Sequence, residues 1–367
     1  MSEKRTTIQQ LLQKPLFDEE LSFDEALDIY KNAPFSQLMS AAHSMRLKLH
    51  PENEVSWIID RNVNISNICV VGCRFCNFSC SKNSPSAYVT TRDEYRKKIS
   101  ELFALGGNQL LLQGGLNPAL DLKFHCDLFS WMKSEFPQLK LHALSPAEVD
   151  FMARTEKMSH EEVLKTLVNA DLDSLPGAGA EILSDRVRQI VSPSKISADK
   201  WIEVMRAAHK LGLVTSATMM FGHVETPQER IEHMIRIREL QKEKPHDAPG
   251  FLSFIPWPFY GKDTTLVKEG LVKDFPTPVE YIRLIATARL VLNNIPNIQA
   301  SWLTVGKTTA AVCLYAGAND LGSIMIEENV VSSAGASYRM NADEMQQLIR
   351  DSGFIPRKRK QDFSDAE

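Results

Sequence analysis

Three cysteines, Cys69, Cys73 and Cys76, stand within eight residues of one another at a Cys-x3-Cys-x2-Cys spacing. Thiolates bind soft metals, and three on one short segment can converge on a single centre without ligands from distant parts of the chain. Iron–sulfur clusters are usually held by four thiolates, so three would leave one iron without a protein ligand. Because an open coordination position in a metal site indicates chemistry, the segment is a candidate reactive centre.

The alternative from the residues alone is a structural zinc site, closed by Cys80 or by a histidine. Zinc sites usually show two separated ligand pairs, and no second Cys-x2-Cys or His-x3-5-His pair follows this segment. Cys80 is expected to be a bystander, and Cys126 and Cys313 lie in helical patterns that predict core thiols. Iron and sulfide content after anaerobic reconstitution distinguishes the two kinds of site.

Composition bounds the class of protein. The chain has 367 residues, of which 43% are hydrophobic, and its formal net charge is −4. Such a charge gives no field suited to nucleic acid or to an anionic membrane. There is no 18-residue apolar run and no apolar signal core near residue 1, and the six cysteines do not resemble a disulfide framework, so we expect a cytoplasmic enzyme. The basic run 357–360 is expected to be a solvated tail.

The elements that must position the cysteines form an alternating pattern. Residues 1–55 predict an N-terminal helical extension, 56–335 a barrel, and 336–367 a C-terminal helix and basic tail. The predicted strands are 63–71, 109–113, 140–144, 173–175, 214–221, 250–255, 298–305 and 320–326. Eight β/α units favour an α/β fold of the (β/α)8 TIM type, although the short fourth strand leaves a partial barrel open. Active sites of such barrels lie where the strands end.

Glycines and polar residues follow the second, third and fourth predicted strands. Gln113, Gly114 and Gly115 end the second, where paired glycines let a ligand approach the backbone or simply form a tight turn. Ser145, after the third, could bind a ligand or cap the next helix together with Glu148. These positions are therefore candidate ligand contacts.

Acids and aromatic residues follow the later strands. His223 and Glu225 come after the fifth, where a proton acceptor would be useful. Phe254, Trp257 and Phe259 would form an aromatic wall suited to a planar ring, or would only close the barrel mouth. The acids Glu327 and Glu328 after the last strand indicate binding or proton transfer, unless they merely begin a helix.

The cysteine spacing, with Phe75 before the last cysteine, resembles the radical S-adenosylmethionine (SAM) superfamily. That resemblance implies a 4Fe-4S cluster held by Cys69, Cys73 and Cys76, with SAM on the open iron. By the same resemblance Glu181, after the glycine turn of the fourth strand, contacts SAM. The residues expected to bind the cofactor are Phe75, Phe78, Gln113, Gly114, Gly115, Ser145, Glu181 and Arg188. Lys195 is expected to be a surface cation instead.

Motifs from Trp57 to Gly335 look like the dehypoxanthine futalosine cyclase family of the futalosine route to menaquinone. They include Gln-Gly-Gly-Leu-Asn-Pro at 113–118, Met-Met-Phe-Gly-His-Val-Glu-Thr at 219–226 and Glu-Glu-Asn-Val-Val at 327–331. After the third cysteine that family usually shows Ala-Phe-Tyr-Arg, and this chain has Asn-Phe-Ser-Cys. Aminofutalosine synthase and the radical SAM halves of the deazaflavin synthase are related alternatives.

The resemblance also implies an activity. A 5′-deoxyadenosyl radical would take the ribose C4′ hydrogen of dehypoxanthine futalosine, and the sugar radical would add to the benzoate ring. Loss of an electron and a proton would then restore aromaticity. His223, Glu225 and Glu328 are the candidate bases, and an electron donor such as flavodoxin or ferredoxin is the expected partner, with neither nucleic acid nor membrane involved.

Overall fold

The computed structural model describes residues 6–324, 326–327 and 338–366. Its helices are α1 (Ile8–Gln13), α2 (Phe23–Asn32), α3 (Phe35–Leu49), α4 (Arg92–Ala104), α5 (Leu122–Glu135), α6 (Pro146–Glu156), α7 (His160–Asn169), α8 (Asp185–Val191), α9 (Ala198–Lys210), α10 (Pro227–Lys242), α11 (Thr265–Lys268), α12 (Pro278–Val291), α13 (Trp302–Leu314) and α14 (Ala342–Asp351). A 3-10 helix, Lys14–Phe17, follows α1. The strands are β1 (Glu54–Ile58), β2 (Asp60–Asn64), β3 (Gln109–Gln113), β4 (Lys140–Ala143), β5 (Ser174–Leu175), β6 (Val214–Phe221), β7 (Phe251–Pro258), β8 (Asn297–Ile298), β9 (Asp320–Ser323) and β10 (Ile355–Lys358).

Parallel strands curve around a central space. Seven of the described strands form one sheet in the order β2-β3-β4-β5-β6-β7-β8. A parallel bridge between Gln299 and Asp320 continues the ladder from β8 to β9, and β9 pairs with β1, which leads directly into β2. Helices cover the outside, and the strands' apolar side chains pack against them. The predicted α/β barrel class is confirmed.

The N-terminal helices pack on the outer layer of the barrel. Helix α3 packs on α12, and α2 packs on α10. Ser22 and Glu25 form the capping box that starts α2, as Thr91 and Glu94 do for α4. These capping residues fix where the outer helices begin. For a helix that follows a strand, such as α4, they also fix the length of the preceding loop. Among the described helices, none is both long and apolar enough to cross a membrane.

Several predicted strands differ from the structure. Strand β2 ends at Asn64, so the stretch up to residue 71 is an irregular loop rather than a strand. The predicted strand 298–305 is wrong beyond residue 298, because helix α13 begins at Trp302 and breaks only at Gly306, whose φ is +82°. The last predicted strand ends at Ser323, and Met325 lies outside the described residues.

The basic run 357–360 is not a solvated tail. Residues 355–358 form strand β10, which pairs in parallel with β1. The next residue, Arg359, is only 4% exposed, and its guanidinium donates to both carboxylate oxygens of Asp320 at 2.6 and 3.0 Å. The prediction of a tail is wrong because four adjacent cations suggest exposure to solvent. The carboxylate that pairs with Arg359 in the interior lies almost forty residues earlier in the sequence and gives no local signal.

Candidate active site at the carboxyl ends of the strands

The three candidate cluster cysteines lie on the irregular loop that follows β2. Main-chain hydrogen bonds close the base of this loop, because the Cys69 amide donates to the carbonyl oxygen of Cys80 at 3.1 Å and the Cys80 amide donates to that of Asn67 at 2.9 Å. Cys80 thus supports the loop through its backbone. Burial raises the pKa of the Cys73 thiol to about 11, so a bound metal must displace its proton.

The cysteine side chains are partly exposed at the barrel mouth. Within the described part of the chain, no three His, Cys, Asp or Glu side chains are gathered closely enough to bind one metal ion. A four-iron cluster makes a different demand, because each cysteine ligates a separate iron and the thiolates stand farther apart than the ligands of a single ion. Three partly exposed thiols on one loop fit that donor set.

The glycine pair after β3 packs against the cysteine loop. The Gly115 amide donates to the Ser66 carbonyl oxygen at 2.7 Å. A Cβ atom on Gly115 would lie 2.2 Å from the carbonyl oxygen of Ile68 and 2.8 Å from the Cβ of Cys69. The next amide, that of Leu116, donates to the Cys69 sulfur at 3.4 Å. Glycine is required at 115 because the two backbones touch, so this turn positions the cysteine loop.

Ser145 caps helix α6, as one of its two sequence interpretations predicted. Its side chain accepts from the Glu148 amide at 3.3 Å and its hydroxyl donates to the Glu148 carboxylate at 2.7 Å. That carboxylate also accepts from the Gly114 amide at 3.2 Å. Burial outweighs these hydrogen bonds and raises the pKa of Glu148 to about 7. Glu148 therefore ties the glycine turn to α6, a role that its place in a capping pattern did not reveal.

Glu181 and Lys195 form a buried ion pair behind the cysteine loop. The Lys195 ammonium lies 2.6 Å from the Glu181 carboxylate and 5.7 Å from the centre of the Phe75 ring. Burial alone would raise the pKa of Glu181, but Lys195 and Arg188 outweigh it and hold that pKa below its ordinary value. Glu181 also adopts a φ of +42°, which is rare for a residue with a side chain.

The prediction that Lys195 is a surface cation is wrong. Its side chain is only 13% exposed. Burial on its own would lower the pKa of Lys195, but the Glu181 carboxylate and the Cys73 thiolate reverse the shift and raise it. Lysine at position 195 carries no sequence signal of its own, because the residue reaches the site from the loop after α8 and not from a strand end.

Arg188 braces the turn that carries Glu181. Its guanidinium donates to the carbonyl oxygens of Ala180 at 2.6 Å, Gly179 at 3.2 Å and Ile196 at 2.7 Å. The residue is 2% exposed, and burial lowers the pKa of its guanidinium. These bonds use most of its donors on the backbone, so its expected contact with the cofactor remains a prediction.

His223 and Glu225 lie at the predicted strand end, but their hydrogen bonds are already made. His223 accepts from the Val224 amide at Nδ1 and contacts the Met220 carbonyl oxygen through Nε2, at 2.8 and 2.9 Å. The Glu225 carboxylate accepts from the Gly222 amide at 2.5 Å, the His223 amide at 3.0 Å and Arg230 at 2.7 Å. Both side chains are 0% exposed. A role as base would require these bonds to break.

Their surroundings keep His223 neutral and Glu225 ionised. Burial lowers the pKa of His223, which keeps the ring neutral. Burial would raise the pKa of Glu225, but Arg230 and the backbone amides of Gly222 and His223 help to outweigh it and lower that pKa. The pair therefore stabilises the turn after β6. Glu328, the third candidate base, lies outside the described residues, while its neighbour Glu327 is ion-paired with Arg61 and Lys98 at 2.9 and 2.5 Å.

The remaining residues predicted to contact the cofactor or the substrate differ in their exposure. Phe78 is half-buried and packs edge-on against Tyr88. Gln113 is half-buried at the end of β3, where its carbonyl oxygen accepts from the Ile65 amide at 3.0 Å. Of the predicted aromatic wall, only Trp257 is partly exposed, because Phe254 and Phe259 are 0% and 1% exposed and belong to the core.

Comparison with known proteins places this site in a family. Residues 63–237 match the model of the radical SAM superfamily, and residues 248–367 match the CofH/MqnC C-terminal region. The chain is 40% identical to the cyclic dehypoxanthine futalosine synthase of Streptomyces coelicolor, over 98% of this chain and 88% of that protein. It is also 40% identical to the synthase of the same name from Halalkalibacterium halodurans, over 96% and 93%. The chain belongs to the cyclic dehypoxanthine futalosine synthase family of radical SAM enzymes.

Members of this family bind a 4Fe-4S cluster and SAM, and so does this radical SAM enzyme. A second group of relatives is nearly as similar. The 5-amino-6-(D-ribitylamino)uracil–L-tyrosine 4-hydroxyphenyl transferase of Methanopyrus kandleri is 38% identical over 91% of this chain and 88% of that protein. Among solved structures, methylornithine synthase superposes with a TM-score of 0.71 at 19% identity, over 96% of this chain and 98% of that one, which supports the barrel fold.

Proposed function

We propose that this enzyme converts dehypoxanthine futalosine to cyclic dehypoxanthine futalosine. The observation that carries the proposal is the 40% identity to two cyclic dehypoxanthine futalosine synthases over nearly the whole chain. The matched region takes in the cysteine loop, the glycine turn after β3 and the Glu181 turn, which the fold brings to one end of the barrel. A small nucleoside is therefore the substrate class, and menaquinone biosynthesis is the pathway that the family resemblance implies.

Cys69, Cys73 and Cys76 would hold the cluster. When bound, the cluster and SAM supply a 5′-deoxyadenosyl radical that removes hydrogen from the substrate. The Gly115 turn keeps the cysteine loop against β3. The carboxylate of Glu181 can accept hydrogen bonds from an ammonium group or a ribose diol. Lys195 compensates the charge of Glu181 in the absence of ligand and can turn toward a carboxylate when one binds.

The interior of the barrel suits the substrate's benzoate ring. Trp257 and Ile255 are partly exposed on the inner face of β7, although the intervening Pro256 is buried. These apolar groups offer a flat surface to an aromatic ring and exclude water, which would quench a carbon radical. With His223 and Glu225 held by their own hydrogen bonds, Glu328 is the proposed base that takes the ring proton.

An electron donor must reach the cluster from outside. Val70, beside Cys69, is 57% exposed, so the cysteine loop presents an apolar side chain at the surface nearest the proposed cluster. A small reducing protein of the flavodoxin or ferredoxin kind is the proposed partner. Short-lived complexes of this type need only a small contact surface.

A direct comparison of two substrates tests the function. The reconstituted enzyme is incubated anaerobically with SAM and reductant, either with dehypoxanthine futalosine or with 5-amino-6-(D-ribitylamino)uracil and L-tyrosine. We expect the nucleoside to give a cyclic product and the second pair to give none. A 4-hydroxyphenyl transfer product would instead assign the activity of the Methanopyrus kandleri relative. Cys69→Ala serves as the inactive control, and Cys126→Ala, distant from the loop, as the matched active one.

A further inference from the structure

Side chains along the strands of the barrel alternate between fully buried and partly exposed positions. On β3, Leu110 and Leu112 are 0% exposed, while Leu111 between them is partly exposed. The same alternation on β7 leaves Ile255 partly exposed beside the fully buried Phe254. Because side chains of a strand point alternately to its two faces, the fully buried set packs on the helices and the partly exposed set lines the barrel interior.

Asn62 faces that interior from β2. The preceding residue, Arg61, points outward, since its guanidinium pairs with Glu101 on α4 at 2.5 Å. Asn62 therefore points inward, and its backbone pairs with Leu111 across the ladder. The residue is 6% exposed, and its amide oxygen has no hydrogen-bond partner. Buried amide oxygens are almost always bonded, so this free acceptor calls for a partner.

The polar groups that line the barrel beside and below Asn62 do not supply that partner. Gln361, from the segment after β10, reaches the barrel interior, where its side chain lies 3.0 Å from the amide of Gln109 and 3.3 Å from Nε2 of His142. His142 is bonded in turn to the Ser174 hydroxyl at 2.7 Å. Gln109 and Gln361 lie toward the amino ends of the strands, whereas His142 and Ser174 lie level with Asn62 in the register of the sheet. None of these groups bonds the amide oxygen of Asn62.

We propose that Asn62 is a substrate contact whose amide oxygen accepts a hydrogen bond from a hydroxyl group of a sugar-derived chain bound inside the barrel. This inference rests on the proposed function in one respect, which is that the nucleoside enters this space with its ribose. The apolar side chains of Leu111, on the strand next to that of Asn62, and of Ile255, on β7, would contact the carbon skeleton. Asn62 would then orient the sugar by one directional bond while Trp257 holds the ring.

Binding measurements on variants test the contact. Asn62→Leu and Asn62→Ala remove the acceptor, and each should weaken equilibrium binding of dehypoxanthine futalosine to the reconstituted enzyme by about tenfold, with SAM affinity unchanged. Asn293→Ala is the matched control, since its amide oxygen is also unpartnered but lies on the loop before β8, and it should bind like the wild type. An analogue of the nucleoside that lacks the contacted ribose hydroxyl should bind the wild type and Asn62→Leu equally.

The outcomes separate this inference from the proposed function. If the wild type converts the nucleoside but both Asn62 variants bind it as tightly as the wild type, the contact is refuted and the acceptor serves an ordered water only. Failure of the wild type to convert the nucleoside counts against the proposed function instead. The same comparison is then made with 5-amino-6-(D-ribitylamino)uracil, whose ribityl chain carries hydroxyls of the same class, and equal binding by wild type and variants would again refute the contact.

Discussion

At the scale of single residues, two described carboxylates at the mouth of the barrel have partners that keep them ionised. Glu181 is paired with Lys195, and Glu225 with Arg230 and two backbone amides. Glu148 is different, because its partners are neutral hydrogen-bond donors and burial dominates its pKa. Glu181 and Glu225 can respond to a charged cofactor by exchanging hydrogen-bond partners, whereas Glu148 can respond only by gaining or losing a proton.

Glu181 should matter for SAM and not for the cluster. A charge-assisted hydrogen bond contributes about 1.5–3 kcal/mol, so Glu181→Ala should lower SAM affinity roughly ten- to a hundredfold while iron content stays normal. Equilibrium binding of SAM to the reconstituted protein measures this. The control is Glu243→Ala, which removes a carboxylate paired with Arg206 at the surface, at 2.5 Å. Equal SAM affinity of wild type and Glu181→Ala would leave Glu181 only a structural role.

Glu148 should make stability depend on pH. Its pKa rises from 4.5 to about 7 on folding, so the unfolded state loses its proton first and the free energy of unfolding falls as pH rises from about 4.5 to 7. The free energy of unfolding should fall by roughly 3 kcal/mol in total. Above about pH 7 this contribution should stay constant. In Glu148→Gln, which keeps an acceptor for Gly114, denaturant titrations should lack this decrease. A parallel pH dependence in wild type and variant would contradict the assignment.

At the scale of elements, the site is an assembly of turns that touch one another's backbones. The glycine turn after β3 contacts the cysteine loop after β2, and α6 is joined to that same turn through Glu148. Strands β2 and β3 pair in register from Asp60–Gln109 to Asn64–Gln113. Because register fixes the height of both turns, the loop that would hold the cluster has little freedom relative to the barrel.

A methyl group at position 115 should therefore displace the cluster. Gly115→Ala would place its Cβ 2.2 Å from the Ile68 carbonyl oxygen, so the cysteine loop must move and reconstituted iron should fall well below four per chain. Gly212→Ala is the control. That glycine has a positive φ of +71°, unlike Gly115, and open space around it, so the variant should lose stability through backbone strain and keep its iron. Full iron occupancy in Gly115→Ala would show that the loop tolerates the shift.

Much of this arrangement could be predicted from sequence, because capping residues, glycine pairs and strand periodicity act locally. The bounds of β3 and β6 agree with prediction. Long-range partners could not be predicted. Lys195 looked like a surface cation because Glu181 becomes its neighbour only in the folded barrel, and the strand predicted over 298–305 became helix α13 since its tertiary contacts outweigh the β-forming tendency of its residues.

At the scale of the whole molecule, the chain closes its barrel with its own C-terminal segment. Strand β10 pairs with β1, and Arg359 and Gln361 lie against groups at the amino ends of the strands. The reactive end of the barrel is the opposite one. The segment therefore covers the end of the barrel away from the cysteine loop, where limited water access would suit radical chemistry inside the barrel.

Arg359 should be necessary for stability. Its guanidinium and the Asp320 carboxylate are 4% and 0% exposed, and removing one partner of a buried ion pair costs about 3–5 kcal/mol because the other charge stays buried. Arg359→Ala should lower the free energy of unfolding by that amount in denaturant titrations. Lys360→Ala, at the neighbouring exposed position, should change it little. Equal stabilities of the two variants would show that the Arg359–Asp320 pair does not stabilise the fold.

The central claim is that this enzyme uses its deoxyadenosyl radical to remove the ribose C4′ hydrogen of dehypoxanthine futalosine. Anaerobic turnover of the nucleoside deuterated at C4′, followed by mass analysis of the deoxyadenosine, tests it most directly. The expected result is 5′-deoxyadenosine carrying one deuterium, formed in equal amount with the cyclic product. Deoxyadenosine without the label, or a product that contains the adenosyl group, would contradict the claim.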